Sequence, residues 1–188
     1  YLAIAKDYEK AGADAISVLT EPDYFLGSID YLAEIAEHVK TPLLRKDFVV
    51  DEYMIDEAKA AGASAVLLIC ALLEEETLTR YHKHCDELGL SALVEAHDEE
   101  EIQMAVRAGA RIIGVNNRNL KDFTVDIHNG IRLREKVPKE ILFVAESGIK
   151  TRENIVELEK GCVNAVLIGE TFMRSENKKQ MLQQLKGE

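Results

Sequence analysis

The sequence predicts an α/β protein of the (β/α)8 TIM-barrel class, with seven of the eight strands present in this chain. One unit recurs along the chain: a helical stretch, a small Ala/Gly turn and a short apolar run. Three further apolar runs lie between its copies. Strict alternation of helices and short apolar strands is typical of parallel βα units with right-handed crossovers.

The repeated turn and apolar run occur in four copies, at residues 11–18, 61–69, 108–115 and 161–169. We expect the glycine of each copy to end a helix with a positive φ, because glycine adopts that conformation at little cost. We expect the apolar run that follows to be a strand buried on both faces, as parallel strands usually are.

The predicted strands lie at about residues 14–20, 42–47, 64–70, 91–97, 111–117, 141–148 and 164–170. The predicted helices lie at about residues 28–39, 51–61, 74–88, 98–108, 128–136, 151–160 and 175–186. A helical pattern also opens the chain at Tyr1, so a further strand upstream would complete eight. We therefore expect residues 1–188 to be a single barrel domain that is incomplete at its N-terminus.

A doubly wound sheet is the competing fold. The barrel is favoured because no G-x-G-x-x-G sequence follows any predicted strand and because the strands are uniformly short.

Composition restricts the classes of partner and of cellular location. The formal net charge of −11 argues against a nucleic-acid or acidic-membrane surface. The three cysteines are an odd number without a C-x-x-C pair, which is typical of free thiols in a reducing cytoplasm. We therefore expect a cytoplasmic protein whose partner is a small molecule.

Charged residues stand at the ends of three predicted strands, where packing alone would not select them: Lys46, Glu95 and Glu146. These are the third, fifth and seventh strands if the first strand is the absent one. Alternate strands of a barrel contribute to one interior layer, and active sites of this fold lie at the C-terminal strand ends. A lysine there suits a general acid or a Schiff-base nucleophile. The alternative is that each charge merely reaches solvent from a strand end.

The end of the sixth predicted strand also suggests ligand contacts. The sixth strand ends in Asn116 and Asn117 followed by Arg118, and buried amides need partners. A polar loop in which asparagine tolerates left-handed turns is the alternative.

Phosphate binding is indicated at the last two strands. Ser147 and Gly148 follow the seventh strand, and Gly169 and Glu170 follow the eighth. Loops after these two strands form the recurrent phosphate site of the fold. Ordinary turn glycines are the alternative.

Five runs of the sequence together resemble the indole-3-glycerol phosphate synthase family. They are PLLRKDF (42–48), LVEAH (93–97), IGVNNRNL (113–120), AESGI (145–149) and VLIGE (166–170). The resemblance implies cyclisation of 1-(2-carboxyphenylamino)-1-deoxyribulose 5-phosphate, with loss of CO₂ and water. It implies no cofactor and no metal.

The resemblance also implies roles for individual residues. Lys46 matches a general acid that protonates the ribulose carbonyl as the ring carbon attacks it. Glu95 matches a carboxylate with acid/base or charge-stabilising duty in later steps. Asn116, Arg118 and Glu146 match the polar group that orients substrate and lysine.

The resemblance also implies which residues bind the substrate. Ser147, Gly148, Gly169 and Glu170 match the phosphate cradle, the last two mainly through backbone N–H groups. The apolar wall around the anthranilate ring is matched by Phe25, Phe48, Leu67, Leu120 and Leu167.

The chain departs from the family pattern in one respect. The family's first strand carries a second catalytic lysine, a glutamate and a Ser-Pro-Ser-Lys-Gly loop, preceded by an extra helix, and this sequence contains none of them. Two alternatives to the synthase activity therefore remain: another phosphosugar lyase or isomerase that uses Lys46, and a non-catalytic barrel fragment. We expect the full-length protein to be a monomer.

Overall fold

The computed structural model of the protein describes residues 1–118 and 124–187. The chain forms two compact units, Tyr1–Leu93 and Val94–Glu188. Each unit alternates helices with parallel strands, and each is described separately below.

The first unit begins with a helix and then alternates strands and helices. Its elements are α1 (Leu2–Ala11), β1 (Ile16–Leu19), α2 (Ile29–His38), β2 (Leu43–Lys46), α3 (Tyr53–Ala60), β3 (Ala65–Ile69), a 3-10 turn (Cys70–Leu72), α4 (Glu75–Glu87) and the start of β4 (Ser91–Ala96). Strand β2 pairs in parallel with β1 and β3.

The second unit continues the alternation and ends in two helices. Its elements after β4 are α5 (Glu99–Arg107), β5 (Ile112–Asn116), α6 (Ile127–Arg134), β6 (Leu142–Glu146), α7 (Arg152–Lys160), β7 (Ala165–Leu167), α8 (Glu170–Arg174) and α9 (Lys178–Lys186). Strands β4 to β7 pair in parallel with their sequence neighbours. The predicted alternation of parallel strands and helices is therefore confirmed, with strands shorter than predicted.

Burial of the strands departs from the prediction at β1 and β7. The middle strands β3 and β5 are buried over most of their length, but alternate residues of β1 are exposed and most of β7 is exposed. Leu19 is 42% exposed and Val166 is 36% exposed. Among the described residues, each of these strands lies at an end of the strand order, so fewer neighbouring side chains cover it.

The last predicted strand and helix are also corrected. Strand β7 ends at Leu167 rather than at residue 170, and the residues after it form two helices instead of one. Helix α8 ends at Arg174, and the Asn177 side chain begins α9 by accepting a hydrogen bond from the Gln180 backbone N–H at 3.0 Å. The predicted helix 175–186 thus corresponds to α9, which the asparagine cap starts at Lys178, and α8 is an additional helix.

The prediction of positive-φ glycines holds for three copies of the repeat and is wrong for the fourth. Gly12, Gly62 and Gly109 have φ of 91°, 89° and 85°. In the fourth copy Gly161 has a φ of −77°, and Cys162 takes the left-handed conformation with a φ of 59°. A Cβ on Gly161 would approach the Ile131 side chain to 3.0 Å, so close packing explains this glycine.

Each unit has its own apolar core. Leu32, Ile55 and Leu78 are fully buried in the first unit. In the second unit Ile149 and Leu158 are buried in a cluster, against which neighbouring aliphatic side chains pack. Full burial of such side chains stabilises the fold by about 1.5–3 kcal/mol each, and it holds the strand ends in place. In the described part of the chain, no helix is long and apolar enough to cross a membrane.

Candidate active site

Lys46 is the last residue of β2, where it is half-buried and lies in register with Leu19 of β1. Side chains alternate between the two faces of a strand, so Arg45 and Asp47 point to the face opposite Lys46. Both of these neighbours are buried. The strand end thus presents a lysine on one face and an ion pair on the other.

The Arg45 guanidinium fixes this strand end to its surroundings. Its Nη2 lies 3.0 Å from Asp47 Oδ2 and its Nη1 lies 2.8 Å from Glu57 Oε2. It also donates to the Met54 carbonyl oxygen and to the Thr20 hydroxyl. Charge-assisted hydrogen bonds of this kind are strong when they are sheltered from water, so the backbone of Lys46 is held between two anchored residues.

The loop after β1 is organised by Glu21. Its carboxylate accepts hydrogen bonds from the backbone N–H groups of Asp23, Tyr24 and Phe25, at 3.0, 2.6 and 3.0 Å. Desolvation works to raise the pKa of Glu21, but the three N–H donors outweigh it and hold this pKa below its ordinary value. The loop is therefore fixed by an ionised side chain.

This loop brings together two of the residues predicted to form the apolar wall. The rings of Phe25 and Phe48 lie 5.0 Å apart between centroids, and Tyr24 packs edge-on to Phe48 at 6.0 Å. Leu67 is buried in β3. In the second unit Leu167 is half-buried at the end of β7. Leu120 lies outside the described residues.

In the second unit, three predicted polar residues share one face of the sheet. Asn116 is in register with Glu146, and the Asn116 amide nitrogen lies 3.5 Å from Glu95 Oε1. Glu95 is in register with Gly114, two residues before Asn116. Glu95 and Glu146 are both buried, at 3% and 1% exposure. Two carboxylates and an amide thus line neighbouring strand ends.

His97 lies between Glu95 and a carboxylate of helix α5. Its Nε2 is 3.2 Å from Glu95 Oε1, and its Nδ1 is 3.0 Å from Glu101 Oε2. The Glu95 carboxylate raises the pKa of His97, burial lowers it, and Glu101 raises it further, to about 9. The ring is therefore protonated at neutral pH.

Arg118 and Asn117 continue from the end of β5. The Arg118 Nη2 lies 3.5 Å from Glu170 Oε2, so two of the predicted binding residues form an ion pair. The Asn117 side chain donates to the Ser147 carbonyl oxygen at 3.1 Å and accepts from the Gly130 N–H at 3.0 Å. Asn117 is therefore a buried link between β5, α6 and the loop that carries Ser147.

The two loops predicted to bind phosphate are tied to each other. The Thr171 hydroxyl donates to the Ile149 carbonyl oxygen at 2.7 Å. Ser147 and Gly148 both have left-handed backbones, with φ of 67° and 80°. A Cβ on Gly148 would come within 2.2 Å of the Val125 side chain, whereas one on Gly169 would meet nothing within 4 Å. The loop after β6 requires glycine for packing, and the turn after β7 has open space.

Each unit also contains a cavity. The one in the first unit has a volume of about 530 Å³ and is lined by Glu21, Arg45, Asp47 and Phe48, among others. The one in the second unit has a volume of about 410 Å³ and is lined by Lys150, Glu170, Thr171 and Arg174, among others. Phe48 and Glu170 are the predicted site residues that reach these cavities.

The family model for indole-3-glycerol phosphate synthase matches residues 1–185. The synthase of Leuconostoc mesenteroides is 60% identical over 188 residues, which is all of this chain and 72% of the relative. The synthase of Ruminiclostridium cellulolyticum is 59% identical over 187 residues, again 100% of this chain and 72% of the relative. The chain belongs to the indole-3-glycerol phosphate synthase family. Synthases of this family are decarboxylating carbon–carbon lyases of tryptophan biosynthesis, so the predicted family and class of enzyme are confirmed.

Solved structures support the fold expected for this synthase family. A 3-hexulose-6-phosphate synthase superposes with a TM-score of 0.81 at 14% identity, over 99% of this chain and 91% of that chain. A thiamine phosphate pyrophosphorylase from Pyrococcus furiosus gives 0.75 at 18% identity, over 99% and 87%. At such low identity these similarities concern the fold alone, and they confirm the TIM-barrel class.

Sequence reasoning gave no role to several residues that support predicted site residues within each unit: Glu21, Arg45 and Asp47 in the first, and His97 and Glu101 in the second. Asn117 was expected to make polar contacts, but its link between Ser147 and Gly130 was not predicted. Arg45 and Asp47 carried a detectable signal, since they flank Lys46 at a spacing of two and so share a face. Glu101 carried no comparable signal in the sequence. Its contact with His97 depends on how the chain turns at Asp98, which the residue pattern does not reveal.

Proposed function

We propose that this chain catalyses the cyclisation of 1-(2-carboxyphenylamino)-1-deoxyribulose 5-phosphate to indole-3-glycerol phosphate. One CO₂ and one water leave, so no external oxidant or reductant is needed, and the proposal includes no cofactor. The observation that carries it is the set of polar groups at the strand ends, with Glu95, Asn116 and Glu146 on one face. Family membership over the length of the chain supplies the reaction.

Lys46 is the proposed general acid. As the ring carbon that bears the carboxylate forms a bond to the ketone carbon, the Lys46 ammonium gives a proton to the ketone oxygen, which becomes a hydroxyl. The electrons of the bond to the departing CO₂ then restore the aromatic ring. The role is supported by the position of Lys46 at the end of β2, where buried neighbours fix its backbone.

Glu95 is the proposed carboxylate of the later steps, when the hydroxyl leaves as water and the new double bond forms. Those steps place positive charge on the ring nitrogen and release a proton from the adjacent carbon. A buried carboxylate can stabilise the positive charge and accept the released proton. Asn116, Arg118 and Glu146 are proposed to orient the substrate, which is what ring closure chiefly requires.

The binding groups follow from the same assignment. Ser147, Gly148, Gly169 and Glu170 are proposed to hold the phosphate, mainly through backbone N–H groups. The link between Thr171 and Ile149 supports this, because it keeps the two loops adjacent.

The aromatic end of the substrate is proposed to meet an apolar wall. Its residues are Phe25, Phe48, Leu67, Leu120 and Leu167. The contact between the Phe25 and Phe48 rings supports the first two assignments.

The remaining proposals concern partners and location. The net charge of −11 supports a small-molecule partner rather than nucleic acid or an acidic membrane. The free thiols of Cys70, Cys85 and Cys162 support a reducing cytoplasm. We also propose that the full-length protein is a monomer, which sedimentation can test directly.

The deciding experiment compares Lys46→Met with Lys59→Met, an exposed lysine of the same unit. Formation of indole-3-glycerol phosphate should fall by about 10² or more in kcat for Lys46→Met, as is typical when a general acid is removed. Lys59→Met should retain the parent rate. Activity of Lys46→Met within about threefold of the parent would contradict the assignment.

A trapping experiment separates the synthase from an aldolase-type enzyme. Borohydride reduction in the presence of substrate should leave no substrate attached to Lys46, because a general acid forms no Schiff base. A reduced adduct on Lys46, detected by mass spectrometry, would instead favour a Schiff-base lyase or isomerase. Failure of both turnover and trapping in the parent chain would favour the non-catalytic alternative.

A further inference from the structure

His97 connects a proposed catalytic carboxylate to the first turn of the next helix. Helix α5 begins at Glu99, and the Asp98 side chain caps it by accepting from the Glu101 N–H at 2.9 Å. The Glu101 carboxylate accepts a hydrogen bond from the His97 backbone N–H at 2.8 Å, and it lies 3.0 Å from Nδ1 of the His97 ring. The ring is thereby held with its other nitrogen 3.2 Å from Glu95 Oε1.

We infer that His97 is a positioning residue for Glu95, and that its cationic ring holds Glu95 as an oriented, ionised carboxylate between the sheet and helix α5. The inference rests on the catalytic role of Glu95 in the proposed function. It adds a residue to that reaction and decides which form of Glu95 takes part.

The charges around the ring support a cation at this position. The ring faces Glu95 from β4 and Glu101 from α5, and both are acidic. Strand β5 contributes the uncharged amide of Asn116, which lies 3.5 Å from the same Glu95 oxygen that faces His97. The two carboxylates raise the pKa of His97 to about 9 despite its burial. An imidazolium therefore persists across the neutral range.

The cation determines what Glu95 is able to do. A buried carboxyl group without a partner favours its neutral form, because burial disfavours the charge. A cation within hydrogen-bonding distance reverses that preference. Glu95 then accepts a proton or stabilises positive charge on the substrate, and it does not serve as the proton donor. The acid role is thereby removed from the duties that the family resemblance implies for this carboxylate.

The first test measures the state of the ring directly, without an assay of turnover. The His97 ring nitrogens are followed by ¹⁵N NMR as a function of pH in the full chain, with the His97→Gln spectrum identifying the signals. The parent ring should titrate near pH 9. In Glu101→Gln and in Glu95→Gln its midpoint should fall by about one pH unit or more.

Glu100→Gln is the matched control, since Glu100 is an exposed neighbour on the same helix and the change removes the same charge. Its ring titration should coincide with that of the parent. A parent ring that titrates near the ordinary histidine value of about 6.5 would overturn the inference. So would a midpoint that moves equally in Glu100→Gln and Glu101→Gln, because that result indicates a general charge effect.

The second test is the pH profile of turnover. In His97→Gln the acidic limb of kcat should move to higher pH by about one unit or more, because the imidazolium no longer favours the ionised form of Glu95. The KM for substrate should change little, since His97 is not proposed to touch it. An acidic limb that stays in place would overturn the inference. If kcat falls while the limb stays in place, the role of His97 is merely structural.

The outcomes distinguish this inference from the proposed function. Full activity of Glu95→Gln would remove Glu95 from the reaction, and the proposed function would then need revision. Loss of activity in Glu95→Gln together with an unchanged profile in His97→Gln would overturn the inference alone. If His97→Gln shows no cooperative thermal transition, the variant is not folded. The NMR titration of the His97 ring in Glu101→Gln then tests the inference.

Discussion

The Arg45 guanidinium and the Asp47 carboxylate form an ion pair at 3.0 Å in which both side chains are almost completely buried. The pair lies on the face of β2 opposite Lys46, so it supports the strand end without occupying the lysine's side. Thr20, Met54 and Glu57 supply further hydrogen bonds or charge to the arginine. Few polar atoms of the pair therefore depend on water.

Breaking this pair from one side should be strongly destabilising. We expect Arg45→Met to lower the free energy of unfolding by about 3–5 kcal/mol, because it leaves the Asp47 charge buried without its partner. The measurement is urea denaturation monitored by circular dichroism. The double variant Arg45→Met/Asp47→Asn should recover about 1 kcal/mol or more of the summed single losses. Strictly additive losses would mean that the two side chains act independently.

Replacement of Cys162 by glycine should stabilise the second unit. Cys162 occupies the left-handed position that glycine holds in the other copies of the repeat. A left-handed backbone costs a residue with a Cβ about 1–2 kcal/mol, part of which is offset by the entropy that glycine loses on folding. We expect Cys162→Gly to raise the free energy of unfolding by about 0.5–1 kcal/mol.

Gly109→Ala is the reciprocal variant, because Gly109 is left-handed and a Cβ there would meet no neighbour within 4 Å. Its free energy of unfolding should fall by about 1 kcal/mol from backbone strain alone. A rise in Gly109→Ala, or a fall in Cys162→Gly, would show that backbone strain does not dominate at these helix ends.

Gly148 and Gly169 should respond differently to the same substitution. Gly169→Ala should leave stability unchanged, because a Cβ there meets open space. It should weaken binding of inorganic phosphate by roughly tenfold, as expected if a close approach of the ligand to the backbone is blocked. Gly148→Ala should destabilise the chain as well, because of the Val125 clash and its positive φ. Calorimetric titration with phosphate beside thermal unfolding separates the two effects. If Gly169→Ala leaves the affinity for phosphate unchanged, Gly169 is an ordinary turn glycine and does not contact the ligand.

The protonation of His97 should make stability depend on pH. The pKa of His97 is raised in the folded chain, to about 9, so the folded state binds the proton more tightly than the unfolded state does. The resulting stabilisation is fully present below about pH 6.5 and is lost as the pH rises towards 9. Relative to His97→Gln, the parent should lose at most about 3 kcal/mol across that window. Parallel stability curves for the two proteins would contradict this coupling.

Local patterns were sufficient to predict which strand ends bear charged residues. Lys46, Glu95 and Glu146 were recognisable because a charge at the end of a buried apolar run is unusual. Register then follows from the sheet, as the pairing of Asn116 with Glu146 shows.

The residues that were missed act through contacts between segments that periodicity does not relate. The three hydrogen bonds accepted by Glu21 depend on the turn of the loop after β1. Gly161 packs against Ile131 of a neighbouring helix, a contact that the repeat pattern does not reveal, and Cys162 takes the left-handed position. Helix α8 was not predicted, because its first residue, Glu170, was assigned to the end of the preceding strand.

The bonds from Glu21 also bear on how quickly the proposed apolar wall would bind a ligand. A loop whose main-chain donors are already satisfied by a side chain loses little conformational freedom when a ring settles against Phe25. Association at this surface then resembles the meeting of two rigid bodies, with a rate that depends on diffusion and orientation. The aromatic end of a substrate would meet a prepared surface, and selectivity there would depend on shape.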